Sequence, residues 1–154
     1  REDVHVEAED LLSVRRTGGT ISERGIRGNI RTALRYLAAW LDGAGAVALD
    51  GLMEDAATVE IARSQLWQWR RHHAELEDGR YVSGAMLQRM AREEQDRIAE
   101  ETGGSTPSQE RAAELLNELI LARDLARFFT TMAYARWIAT PSSVCSPMHE
   151  RAVA

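Results

Sequence analysis

A chain of 154 residues, 44% apolar and 28% charged, has the size and composition of one ordinary globular domain, which excludes a wholly disordered polymer. Its 24 acidic residues outnumber 19 basic ones for a formal net charge of −5, the wrong sign for a protein that grips a phosphate backbone, so no nucleic-acid partner is expected. All 19 bases are arginine, which removes lysine Schiff-base chemistry and the phosphate-loop lysine, and the single cysteine, Cys145, removes an internal disulfide framework and suits a reducing, cytoplasmic setting.

The chain opens Arg1-Glu2-Asp3, with no methionine and no apolar signal segment, so either its start has been trimmed or it belongs to something longer. Residues 1–20 read as an arm, in which Glu7 to Leu12 form one or two helical turns broken by Arg15-Arg16-Thr17-Gly18-Gly19. A helical domain is expected over 21–139. Thr20 and Glu23 have capping-box spacing, and Ile26, Ile30, Ala33, Leu34, Leu37, Ala38 and Leu41 recur at steps of three and four, the stripe of an amphipathic helix. Arg24, Arg27, Arg31 and Arg35 fall largely on its other side, and Gly43 and Gly45 end it.

Ala46 to Met53 read as an extended connection. Asp55 then opens a second helix running through Trp67 and Trp69 to Arg70-Arg71-His72-His73, where positive charge suits the negative end of the dipole. Glu77 to Arg80 make a turn. Ser83 caps a third helix with Met86, Leu87, Met90 and Ile98, closing at Gly103-Gly104. Pro107 starts a fourth with Ala112, Leu115, Leu116, Leu119, Ile120 and Leu125. Phe128, Phe129, Tyr134, Trp137 and Ile138 continue in a last helix or kinked extension that Pro141 stops, leaving 140–154 as a flexible tail. Without strand alternation, the expected fold is all-α: four to five helices packed with no sheet. No apolar run reaches the roughly 20 residues of a membrane span.

Chemistry has few candidates. His72 and His73 are neighbours on one helix, His5 and His149 lie near opposite ends, and no His-x-x-x-His or Glu-x-x-His pairing exists, so they read as solvated. Glu54-Asp55 sits where an apolar segment meets a helix start. Asp55 reads first as an N-cap; the alternative is a carboxylate partly desolvated by Leu52, Met53, Ala56 and Ala57, with burial and the positive helix end pulling its pKa in opposite directions. Trp67 and Trp69 suggest a surface covered by a partner domain, and Arg70 and Arg71 could meet nucleotide phosphates, although a solvated basic helix end explains them as well.

Together, Asn29-Ile30-Arg31, Tyr36-Leu37-Ala38-Ala39-Trp40-Leu41, Leu52-Met53-Glu54-Asp55-Ala56-Ala57-Thr58, Glu60-Ile61 and Gln65-Leu66-Trp67-Gln68-Trp69 resemble the C-terminal helical domain of malate synthase, in its shorter A-type form, over residues 8 to 137. The resemblance implies an enzyme that condenses acetyl-CoA with glyoxylate and hydrolyses the thioester. A β/α barrel there holds Mg²⁺ and glyoxylate, and the helical domain closes over the barrel mouth. By position it makes Asp55 the general base that takes a proton from the acetyl methyl group, with Met53 and Glu54 in support. Trp67, Trp69 and Arg71 are the further substrate-binding candidates. Departures are Val47-Ala48-Leu49-Asp50-Gly51 before the motif, whose Asp50 adds negative charge near the base, Arg70 at a normally apolar position, and Thr131-Met132-Ala133 in place of the family's Leu-Pro. The chain has no barrel, Mg²⁺ ligands or glyoxylate clamp of its own. The expected partners are therefore an acyl-CoA or other small molecule and a barrel domain or homodimer mate, with no cofactor in this chain and Mg²⁺ only alongside a barrel. Two other readings stay open: a freestanding relative running an isomerase, cyclase or lyase type of reaction in its own pocket, and a non-catalytic interaction module.

Overall fold

The computed structural model describes residues 3–13 and 19–138; the expected break at 15–18, Pro141, Cys145, His149 and the tail lie outside them. Helix α1 (Ala8–Leu12) is held by reciprocal bonds between Glu7 and Asp10, and its Leu11 and Leu12 stay exposed, so it buries no core.

Helix α2 (Glu23–Leu41) begins two residues later than the Thr20–Glu23 box implied. Ile21 bridges to Leu76, which keeps the chain extended through Ser22, and Ser22 Oγ accepts the Gly25 amide at 3.0 Å. Glu23 is thereby freed to bind Arg27 (2.9 Å) and Arg80 (2.5 Å). The apolar stripe is buried as its spacing demands: Ile26, Ile30, Ala33 and Leu37 are wholly inaccessible, each large side chain contributing about 1.5–3 kcal/mol. Gly43, at φ 97°, makes the turn after the helix that a side chain would resist, and the buried Tyr36 hydroxyl donates to the Gly45 carbonyl at 2.8 Å.

The segment expected to be merely extended is a hairpin, so the helices do pack around a minimal sheet. Strands β1 (Val47–Leu49) and β2 (Leu52–Glu54) pair antiparallel with Val47 opposite Glu54 and Leu49 opposite Leu52. Asp50 and Gly51 both take positive φ, 52° and 83°, the requirement of a two-residue turn matched to strand twist. Three-residue strands carry too little alternation to announce themselves.

Helix α3 (Ala56–Arg71) follows at once, capped by Asp55. Helix α4 (Gly84–Thr102) is capped by Ser83 and closed by Gly103 in the left-handed region. Helix α5 (Pro107–Leu121) starts with proline in its first turn and a Thr106–Gln109 capping box. It stops before Leu125, because Ala122 turns extended (ψ 145°), and Leu125 is exposed. The last described elements are a short α6 (Phe129–Ala133) running into a π-helical turn, Tyr134–Ile138; Trp40 meets Phe129 and Tyr134 edge-on at 5.2 and 5.7 Å.

Helix α2 is the central element, touching α3, α4 and α5. The core between them includes Leu66, Leu87, Met90, Leu115, Leu119 and Ile120. Its polar side carries a ladder of ion pairs: Arg27 to Glu93 and Glu94, Arg31 to Glu101, Arg35 to Asp50. Glu94, only 2% exposed, also accepts from Arg97 at 2.9 Å. The fold is all-α apart from the hairpin, and among the described residues no helix is long and apolar enough to cross a membrane.

Candidate functional site

Strand β2 runs into α3 without a spare residue, so the hairpin sets where Asp55 stands. The backbone of Asp55 is extended and its Oδ1 accepts the Ala57 amide at 2.9 Å, one of the helix-start donors with no partner inside the helix. Its Oδ2 has no partner among the described residues. One oxygen is thus oriented and the other is free, at the end of a helix where negative charge is favoured.

The expected desolvation does not hold among the described residues. Asp55 is exposed, and Leu52 and Met53 are 65% and 72% exposed. The flanking apolar side chains stand outward on a two-stranded hairpin with no third layer over it from the described residues. The carboxylate therefore sits in water at the edge of an uncovered apolar surface. Its charge is felt inward: Tyr36 has its hydroxyl pushed above the usual tyrosine range, chiefly by burial and also by the Asp55 carboxylate. Asp50, suspected of adding charge beside the base, has its own charge engaged. Arg35 Nη1 donates to both its oxygens at 2.8 and 2.9 Å, and this pairing holds the Asp50 carboxyl below its ordinary value.

Glu54 faces the other way. Its Oε2 accepts from the Thr58 hydroxyl, one turn into α3, and both residues line a groove of about 270 Å³ between α2 and α3 with Asn29, Thr32 and Ile61. Asp55 is not among the lining residues, so the groove is not a private pocket for it.

The other sequence candidates separate. Trp67 is partly buried and its indole donates to the Ala122 carbonyl at 2.9 Å. Trp69 is partly buried and packs on the core, so the pair does not form one open aromatic surface. Arg70, read as a solvated basic helix end with a phosphate contact as the alternative, is instead partly buried and caps α5, donating to Ile120 and Ala122 carbonyls at 2.8 and 2.7 Å. Arg71 is exposed at the end of α3, the full length of that helix from Asp55, so the structure does not bring it to the carboxylate. His72 and His73 are exposed. No cluster of three or more His, Cys, Asp or Glu suited to a metal exists among the described residues.

Sequence reasoning missed a polar stripe along α3. Glu60, Arg63, Trp67 and Arg70 recur at steps of three, four and three, and all four bind the chain between α5 and α6. Arg63, 2% exposed, donates to the Ala126 and Arg127 carbonyls at 2.9 and 3.2 Å, and Glu60 accepts the Phe129 amide at 2.8 Å. The period was visible; the partners, carbonyls and an amide 50 or more positions away, were not.

Comparison with known proteins adds the family. The malate synthase C-terminal family matches residues 20–137. The chain is 45% identical to malate synthase of Myxococcus xanthus over 138 residues, covering 87% of this chain and 25% of that protein. It is 40% identical to malate synthase A of Escherichia coli, over 86% of this chain and 25% of that one. Against the bifunctional glyoxylate cycle protein of Caenorhabditis elegans the identity is 42%, over 84% and 13%. The chain thus spans about a quarter or less of the length of these relatives.

Proposed function

Because this chain belongs to the malate synthase C-terminal family, we propose that it supplies Asp55 as the general base of a Claisen-type condensation, working against a barrel that binds the substrates. Asp55 Oδ2 takes a proton from the methyl group of acetyl-CoA. The resulting enolate carbon bonds to the aldehyde carbon of glyoxylate, and hydrolysis of the thioester releases malate and CoA. A base acting on a carbon acid must be aimed and must be kept from bulk water. The first need is supported by the Ala57 amide on Oδ1. The second is met on this reading by the barrel, which covers the hairpin when the domains close; moving Leu52 and Met53 from water into an apolar contact would gain roughly 1.5–3 kcal/mol each.

The observation that carries the reading is the oriented carboxylate beside two exposed apolar side chains on adjoining positions, 52, 53 and 55. A cap alone needs no apolar surround. The test is a chimera in which this chain replaces the matching quarter of the Escherichia coli relative, with free CoA thiol measured on acetyl-CoA plus glyoxylate. Asp55→Asn is expected to slow turnover about 10²–10⁴-fold with the fold intact, since asparagine caps as well as aspartate. A chimera in which Asp55→Asn turns over at the parental rate rejects the role.

A further inference from the structure

The hairpin that delivers Asp55 is weakly held. Leu52 and Met53 of β2 point into solvent, and the strand's anchors are its three-residue ladder to β1 and the Glu54–Thr58 bond. The hairpin is tied to the rest of the molecule through β1 and the turn. Leu49, 5% exposed, enters the core, and Asp50 at the tip is gripped by Arg35 of α2. Among the described residues this is the hairpin's one ion pair, and it joins the tip to the central helix of the fold. Asp50 stands at φ 52°, a conformation aspartate tolerates better than most residues because its short side chain finds local partners.

We propose that Arg35 and Asp50 are positioning residues for Asp55: their pairing fixes the hairpin tip on α2 and so fixes the strand whose end is the base. This rests on the general-base reading above. Neither side chain touches substrate. Both act through β2, which has no residue to spare between the turn and the helix cap, so a shift at the tip is carried to position 55. Small displacements matter in such a site, because a misplacement near 1 Å can cost up to about a hundredfold in rate.

Two measurements separate this proposal from the reading beneath it. On the whole chain, backbone NMR of Arg35→Gln is expected to shift or broaden the amides of Leu52 to Ala57, while those of the α2 core, such as Ile30 and Leu37, stay put and the melting temperature changes little. Arg35→Lys, which keeps the charge, should restore most of the shifts. In the chimera, Arg35→Gln should lower kcat about tenfold with KM changed less than twofold, and Arg35→Lys should recover most of the loss; a merely structural role would not split the constants this way. If the Leu52–Ala57 amides do not move, the clamp is rejected. If they move, Asp55→Asn abolishes turnover and Arg35→Gln leaves kcat unchanged, the positioning role is rejected and the general base stands. If Asp55→Asn is fully active, the general base fails and takes the functional half of the proposal with it, while the NMR arm still decides whether the clamp exists.

Discussion

Two carboxylates in this chain live under opposite regimes. Glu94 lies 2% exposed between helices α2 and α4, within 3.1 Å of Arg27, 2.9 Å of Arg97 and 3.9 Å of Arg31. Asp55 stands in water with one amide on Oδ1 and nothing on Oδ2. The first has its Oε1 occupied by Arg27 and Arg97 and its Oε2 facing Arg31 at 3.9 Å, so guanidiniums of its own chain surround it. The second has an oriented lone pair and apolar neighbours that none of the described residues covers. A burial-based search for reactive groups would choose Glu94, yet its surroundings make it a structural tie between two helices. The exposed group is the one with room for a reaction, and under the proposed function what covers it is the barrel.

The contrast can be broken at either end. The largest expected effect is at Glu94. Glu94→Ala removes a nearly inaccessible acceptor from between partly exposed guanidiniums, of which Arg27 and Arg31 keep other acidic partners, and should cost about 1–3 kcal/mol, read from chemical denaturation. A loss under about 1 kcal/mol would mean the helices are held by the apolar core alone.

Acid comes next and acts on the whole ladder. Glu23, Asp50, Asp78 and Glu93 all have carboxyl pKa values lowered, in each case chiefly by hydrogen bonds from arginine: Arg80 for Glu23, Arg35 for Asp50, Arg80 for Asp78 and Arg27 for Glu93. A carboxylate whose folded pKa is depressed stabilises the fold above its unfolded value and loses that contribution as pH falls toward the folded value. The denaturation midpoint should therefore hold from neutrality down to about the ordinary glutamate value of 4.5 and drop below it. A midpoint that is flat to pH 3 would show that the ladder contributes nothing. Added salt should shrink the acid-sensitive part, because most of these pairs are solvent-facing.

At the other carboxylate the expected stability change is smaller. Asp55→Ala removes the cap of α3 and should cost about 1 kcal/mol, whereas Asp55→Asn should cost only a few tenths. A penalty as large as that of Glu94→Ala would mean that Asp55 is a structural residue of the same kind. The smallest effect is expected from Leu52→Ser with Met53→Ser: within about 0.5 kcal/mol in this chain, since both side chains are already exposed, but a clear loss of turnover in the chimera if a barrel covers them. A double variant that is markedly unstable alone, or fully active when joined, removes the argument for a covered surface.

Much of this was readable in advance, for local reasons. The four long helices followed from apolar steps of three and four. Ser83, Pro107 and Gly103 marked their ends because capping is a property of a few adjacent residues. Asp55 was legible as a cap on the same ground, and as a candidate base through the block Leu52 to Thr58. The hairpin was not recognised, although Asp50-Gly51 is the turn it uses, because three residues a side give no period to read. Arg70 was misjudged because a guanidinium at a helix end looks solvated until one knows that the carbonyls of Ile120 and Ala122 lie beneath it. The expected dryness around Asp55 failed for a different reason: whether Leu52 and Met53 exclude water depends on what stands over them, and their identity does not settle that.

The amino-acid order alone determined which segments form the four long helices, several of their caps, and which carboxylate begins α3, since those outcomes depend on neighbours within a few residues. Only the folded arrangement decided that Glu94 is enclosed and Asp55 open, that Arg63, Trp67 and Arg70 spend their hydrogen bonds on distant backbone, and that Arg35 holds the tip of the hairpin. Exposure and pairing are set by which surfaces meet across the chain, and the contacts that set them join residues 15 to more than 60 positions apart.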